Sequence, residues 1–200
     1  MLKITINRTL KYKSFWIILY LLIKKKVYTV KLEKTRKTVL TALFMAIICV
    51  ATLVIQIPSP ATNGYFNLGD CFVLLAGWFL GPVYGIIAAG VGSALADIIT
   101  GYFLYVPATF FIKAIMALVA YFIYKALNSK PFFGKIASTV TAEIIMVLGY
   151  FAYEATVLGY GIAAAAGVPS NALQGIVGVA SSVALASAIE KSNILKNLFR

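Results

Sequence analysis

Two charged side chains pose the chemical question in this sequence. Asp97 lies near the end of an apolar segment, and Lys113 lies a few residues inside the next. A charge at the centre of a membrane helix costs roughly 2.5–3.5 kcal/mol on insertion scales, so each should pair or line a wet cavity. At about 1.5 Å per residue the two sit at similar depth, within reach of a lysine stem. Two readings stand: a structural Asp97–Lys113 ion pair, or direct contact of Lys113 with a ligand. Glu143 and Glu154 are a second acidic feature. On one helix they return to nearly the same face, making a stripe with Val147 and Tyr150. Asp70 follows Asn67 by three residues, which suits a helix start with Asn67 as cap and Asp70 favouring the dipole.

Catalytic chemistry finds no such support. The chain has no histidine, which removes the usual general base and the commonest metal ligand. Cys49 and Cys71 lack metal-site spacing, and no GxxxxGK[ST] phosphate loop is present. The expectation is a non-enzyme with no metal and no cofactor.

Composition sets the compartment. At 62% hydrophobic and 12% charged residues, the chain departs from soluble averages of about half apolar and a quarter charged. It reads as an integral membrane protein with one domain. The net charge of +12 does not point to nucleic acid, because eleven of the eighteen lysines and arginines precede Val39. A basic block beside a hydrophobic span is a topology signal and an anchor to anionic lipid in the bilayer.

The positioning elements follow from hydrophobic runs and breakers. Residues 1–32 hold an apolar run too short to span and without a signal-peptide cleavage site. They read as an interfacial anchor or a non-functional extension upstream of the true start. Residues 33–200 are expected to form an all-α, six-transmembrane-helix bundle. Its helices cover 39–57, 68–80, 83–100, 107–127, a fifth from the polar turn 128–134 to about 159, and a sixth from the Asn171 cap to about 189. Residues 58–66, with two prolines and Asn63-Gly64, read as an aromatic loop. Gly81-Pro82 turns the second helix into the third. There Gly85, Ala89, Gly92 and Ala96 form a smooth face for a neighbouring helix. Ala42 and Ala46 form a small-xxx-small pair on the first helix, suited either to internal packing or to a partner. Lysines and arginines outside the helices gather at the ends and at the turn after the fourth helix. This alternation puts both termini in the cytoplasm and three charge-free loops outside.

The runs NLGD, LLAGWFLGPVYG, GSALAD and PATFFIK, together with this layout, resemble the substrate-binding S components of energy-coupling factor (ECF) vitamin transporters. The resemblance covers about residues 31–191. It implies a multi-pass protein of the bacterial plasma membrane that captures a vitamin from outside with high affinity. It also implies partners, a transmembrane coupling subunit and two ATPase subunits of an ABC transporter. Ala42 and Ala46 would face the coupling subunit. The ligand pocket would be built from the outer halves of helices four to six and the outer loops.

The residues left for that pocket are mostly acceptors and aromatics. No arginine lies in any predicted helix, and Lys113 has Asp97 as a candidate partner, so an acidic vitamin is poorly served. Glu154 would favour an amine or protonated ring nitrogen, with Glu143 either a second contact or a deeper structural acid. Tyr150 and the loop aromatics Tyr65, Phe66, Tyr102 and Tyr105 could cover a planar ring. Asn171 and Gln174 could bond its hydroxyl or amide edge. The expectation is a small heteroaromatic vitamin or precursor, a hydroxymethylpyrimidine or pyridoxine-type compound ahead of riboflavin. The alternative is a stand-alone permease or channel for a small solute.

Overall fold

The computed structural model describes residue 24 and residues 33–59, 64–127 and 129–192. The predicted extension, residues 1–32, falls outside the described residues apart from Lys24. The chain divides into two compact units, Met1–Val39 and Leu40–Arg200, and all packing discussed below lies within the second.

Among the described residues, five helices are long and apolar enough to cross a membrane. The first, α1 (Glu33–Val54), starts earlier than the predicted residue 39 and stops before residue 57. It therefore takes in Lys34, Arg36 and Lys37, which corrects the expectation of arginine-free helices. A short antiparallel hairpin follows, β1 (Gln56–Ser59) and β2 (Gly64–Asn67), with Gln56 opposite Asn67 and Ser59 opposite Gly64. The sequence reading had a plain loop here. Pro58 does bar a helix, but extended backbone also suits a proline, and here it stands in a hairpin arm opposite Tyr65.

Helix α2 (Asp70–Thr100) contains both the predicted second and third helices. Gly81 breaks it with φ 80° and ψ −174°, a backbone that an L side chain resists, and Pro82 has no N–H to carry the ladder across. The chain doubles back there: a Cβ on Gly85 would lie 2.8 Å from the carbonyl oxygen of Ala76 and 3.1 Å from the Cα of Gly77. In a continuous helix, residues eight apart would be about 12 Å apart along the axis. The predicted groove is occupied as expected, with a Cβ on Gly92 reaching to 2.8 Å from the Met45 carbonyl of α1. Gly85, Ala89, Gly92 and Ala96 are all buried.

Helix α3 (Val106–Ala126) packs most extensively on α2, and then on α4 (Pro131–Thr156). A 3-10 segment, Gly161–Gly167, leads into α5 (Val168–Lys191). Pro169 sits in the first turn of α5, and Gly167 precedes the helix without a side-chain cap. Asn171 is thus inside the first turn rather than the cap. Val73, Leu74, Leu75 and Ala76 of α2, Met116 and Ala117 of α3, and Met146 of α4 form the apolar core. Large apolar side chains such as Val50, Phe111, Ile144 and Ile176 face outward, as lipid contact requires.

Candidate functional site

A polar pocket opens where α1, the hairpin and the four later helices converge. Its base is a chain of hydrogen bonds. Lys113 on α3 donates to Asp70 Oδ1 at the start of α2, and both side chains are almost wholly buried. Gln174 Nε2 on α5 donates to Asp70 Oδ2 at 2.5 Å. Gln174 Oε1 accepts from the Asn67 backbone N–H at 2.9 Å and faces its side-chain amide at 3.5 Å. Asn67 Oδ1 accepts from the Gly69 N–H at 2.8 Å, so Asn67 closes a turn ahead of α2 and does not cap it.

This network corrects the expected Asp97–Lys113 pair. Lys113 is held by Asp70, and Asp97 accepts from the Tyr65 hydroxyl at 2.5 Å through Oδ1. Burial, with the Asp97 charge next, pushes the Tyr65 phenol well above its ordinary value, so this hydroxyl stays a donor. Asp70 stands in the first turn of α2 as predicted, and it is also a buried ion-pair partner.

Aromatic groups line the remaining sides. The Tyr65 ring stands 4.6 Å from Tyr102, and the Tyr105 ring 6.3 Å from Tyr150. Tyr105 OH donates to Glu154 Oε1 at 3.1 Å, and Thr109 Oγ1 shares a hydrogen with Tyr150 OH at 3.0 Å. The Lys113 ammonium lies 5.6 Å from the Tyr150 ring centre, close enough for a cation–π contact.

Tyr65, Tyr105, Lys113, Tyr150, Glu154, Asn171 and Gln174 therefore share one pocket. Glu143 does not line it. It is buried against α5, where a Cβ on Gly178 would meet its Oε1 at 2.2 Å, and neither of its oxygens has a hydrogen-bond partner among the described residues. The Phe66 side chain lies outside the described residues. Sequence reasoning missed Thr52, Asn67, Ser93 and Thr109 as pocket residues. For Ser93 a signal existed, since it precedes Asp97 by one helical turn and shares its face. Ala42 and Ala46 are exposed on α1 and available to a partner helix.

Comparisons with known proteins agree with this architecture. The model of the family described as "ECF-type riboflavin transporter, S component" matches residues 31–191. A Pyrococcus woesei protein described as "Uncharacterized protein in gap 3'region" is 38% identical over 119 residues, covering 59% of this chain and 78% of its own length. A solved structure, reported under "Structure and mechanism of the S component of a bacterial ECF transporter", superposes with a TM-score of 0.64 at 24% identity. It covers 80% of this chain and 99% of its own, a likeness of fold.

Proposed function

Since this chain belongs to the family of ECF-type riboflavin transporter S components, and so is a multi-pass membrane transport component, we propose that it is the subunit that binds riboflavin. The observation that carries this reading is the pocket's lining: Tyr65, Tyr105 and Tyr150 around a base whose cation, Lys113, is already neutralised by Asp70. A neutral, flat, hydrogen-bonding ligand suits such a site. A carboxylate or phosphate would have to displace Asp70 from a buried ion pair, leaving that acid stranded at a cost of several kcal/mol. The sequence-based preference for a pyrimidine or pyridoxine over riboflavin rested on Glu154 as the partner of an amine or protonated ring nitrogen. Glu154 Oε1 instead accepts from the Tyr105 hydroxyl at 3.1 Å, and the family description favours riboflavin.

The doubling back of α2 at Gly81 supports six membrane segments, with both termini on the cytoplasmic side of a bacterial plasma membrane and residues 33–200 as the working domain. The exposed alanine pair, Ala42 and Ala46, is the contact for a transmembrane coupling subunit, which two ATPase subunits would drive. Titrating the purified chain with riboflavin, pyridoxine, hydroxymethylpyrimidine and pantothenate tests the ligand. Riboflavin should bind tightest and pantothenate not at all; tighter pyridoxine or pantothenate binding defeats the assignment. Replacing Ala42 and Ala46 with leucine should abolish uptake and leave binding intact. Unchanged uptake would return that face to lipid contact.

A further inference from the structure

The flavin reading, on which this inference rests, leaves one wall of the pocket unused. Thr52 of α1 and Ser93 and Asp97 of α2 line the pocket, each only 2% exposed. Thr52 Oγ1, Ser93 Oγ and Asp97 Oδ2 have no hydrogen-bond partner among the described residues. Buried polar groups are rarely left unmade, because each keeps its full desolvation cost. Here three belong to residues that line one cavity, while the Asp70–Lys113–Gln174 network beside them is tied up. Ser93 and Asp97 are one turn apart on the same helix face, about 6 Å along the axis. The orientation of Asp97 is fixed, since its other oxygen holds the Tyr65 hydroxyl at 2.5 Å. Thr109, a hydroxyl that also approaches Asp97, is engaged with Tyr150 at 3.0 Å.

The chemistry of these three atoms defines what they can take. Two hydroxyls can each give and accept a hydrogen bond, and one carboxylate oxygen can only accept. An anionic group would be repelled by Asp97, and an apolar edge would leave all three atoms unsatisfied. A run of neighbouring alcohols, each both donor and acceptor, satisfies them together. We propose that Thr52, Ser93 and Asp97 form a polyol subsite. It holds the hydroxylated side arm of the flavin, one hydroxyl donating to Asp97 Oδ2 and its neighbours exchanging bonds with Ser93 and Thr52. The flat ring then lies against Tyr105 and Tyr150.

Riboflavin and lumiflavin, the same ring system with a methyl group in place of the polyol arm, separate the two halves of the pocket. Their binding is measured on the full chain, wild type and Thr52→Val/Ser93→Ala. The double variant should bind riboflavin about ten- to a hundredfold more weakly, the loss of roughly two hydrogen bonds, and lumiflavin as tightly as the wild type. Retained lumiflavin binding also reports a folded pocket. Equal weakening of both ligands, or unchanged riboflavin affinity, overturns the subsite while leaving the flavin reading in place. If the double variant loses both ligands altogether, Ser93→Ala alone is judged by the same ratio. A wild type that binds neither flavin overturns the flavin reading, and the polyol assignment falls with it.

Discussion

Two clusters that each join a lysine and a tyrosine to acids sit in different parts of the bundle, the pocket cluster using two aspartates and the other a single glutamate. In the pocket, Lys113 is paired with Asp70 and Tyr65 donates to Asp97. Near the turn between α3 and α4, Lys135 is paired with Glu190 at 2.5 Å, and Tyr124 donates to Glu190 at 3.5 Å. Both lysines are buried, at 1% and 3% exposure. The partners differ: the Asp70 side chain is 1% exposed and that of Glu190 is 39% exposed. A pair whose acid can reach water loses little when the lysine goes, because the carboxylate is resolvated. A pair wholly inside has no such recourse. The turn cluster therefore fastens the end of α5 to α4, whereas the pocket cluster is a fixed charge arrangement on which the ligand site is built.

The sharpest way to break this comparison is Lys113→Met. It strands Asp70 with Glu143 as its acidic neighbour, and the expected loss is about 3–5 kcal/mol of stability, read from unfolding of the detergent-solubilised chain. Adding Asp70→Asn should restore most of that loss, since the stranded charge is then gone. A single variant within about 1 kcal/mol of wild type would mean that water reaches the pair, and the contrast with the turn cluster would vanish.

Next in size is Tyr65→Phe, which removes a hydrogen bond to a carboxylate and should cost about 1.5–3 kcal/mol. The pH dependence gives it a second readout. The Tyr65 phenol is raised in the folded chain, so its contribution is complete below the unfolded value of about 10 and fades as the pH rises beyond it. The wild type should lose stability in that alkaline range more steeply than Tyr65→Phe. Parallel curves would mean that the Tyr65–Asp97 bond does not hold the hairpin to α2.

How much of this was legible in the sequence depends on what a linear pattern carries. The glycine face of α2, the span of α3 and the burial of Glu143 and Glu154 on one side of α4 all follow from period and composition. Depth arithmetic rightly brought Asp97 and Lys113 to one level, and both line the pocket. It chose the wrong partner because depth says nothing of position around the bundle. That position is set by the reversal at Gly81 and by Gly77, where a Cβ would come to 2.4 Å from the Ala117 carbonyl of α3. The hairpin was missed for a related reason: proline and glycine forbid a helix without specifying which strand pairing replaces it. Glu143 was grouped with Glu154 by spacing, yet it lies below the pocket, since two groups on one stripe can face different neighbours along its length.

Lys135→Met turns the comparison round. Glu190 lies near the end of α5 and can swing into water, so the expected loss is about 0.2–1 kcal/mol, far below that for Lys113. Ser187, which also accepts from the Lys135 ammonium at 3.3 Å, would lose its partner as well, but that contact is long for a charge-assisted hydrogen bond and adds little. A loss equal to that of Lys113→Met would show the turn cluster to be as desolvated as the pocket.

The smallest effect should come from Tyr124→Phe, and its smallness is informative. The Tyr124–Glu190 contact is 3.5 Å long and exposed, at the outer limit for a hydrogen bond, where water replaces the hydroxyl without loss. The ring keeps its place, with its centre 5.4 Å from that of Trp78 and tilted 40° to it, because phenylalanine preserves that ring contact. Stability should therefore stay within about 0.5 kcal/mol of wild type, against the several-fold larger cost of Tyr65→Phe. Both substitutions delete a tyrosine hydroxyl from a bond to an acid, so their ratio measures exposure and bond length together. If Tyr124→Phe proved as costly as Tyr65→Phe, the geometry that separates a pocket from a fastening would be wrong, and burial could not explain why the two clusters differ.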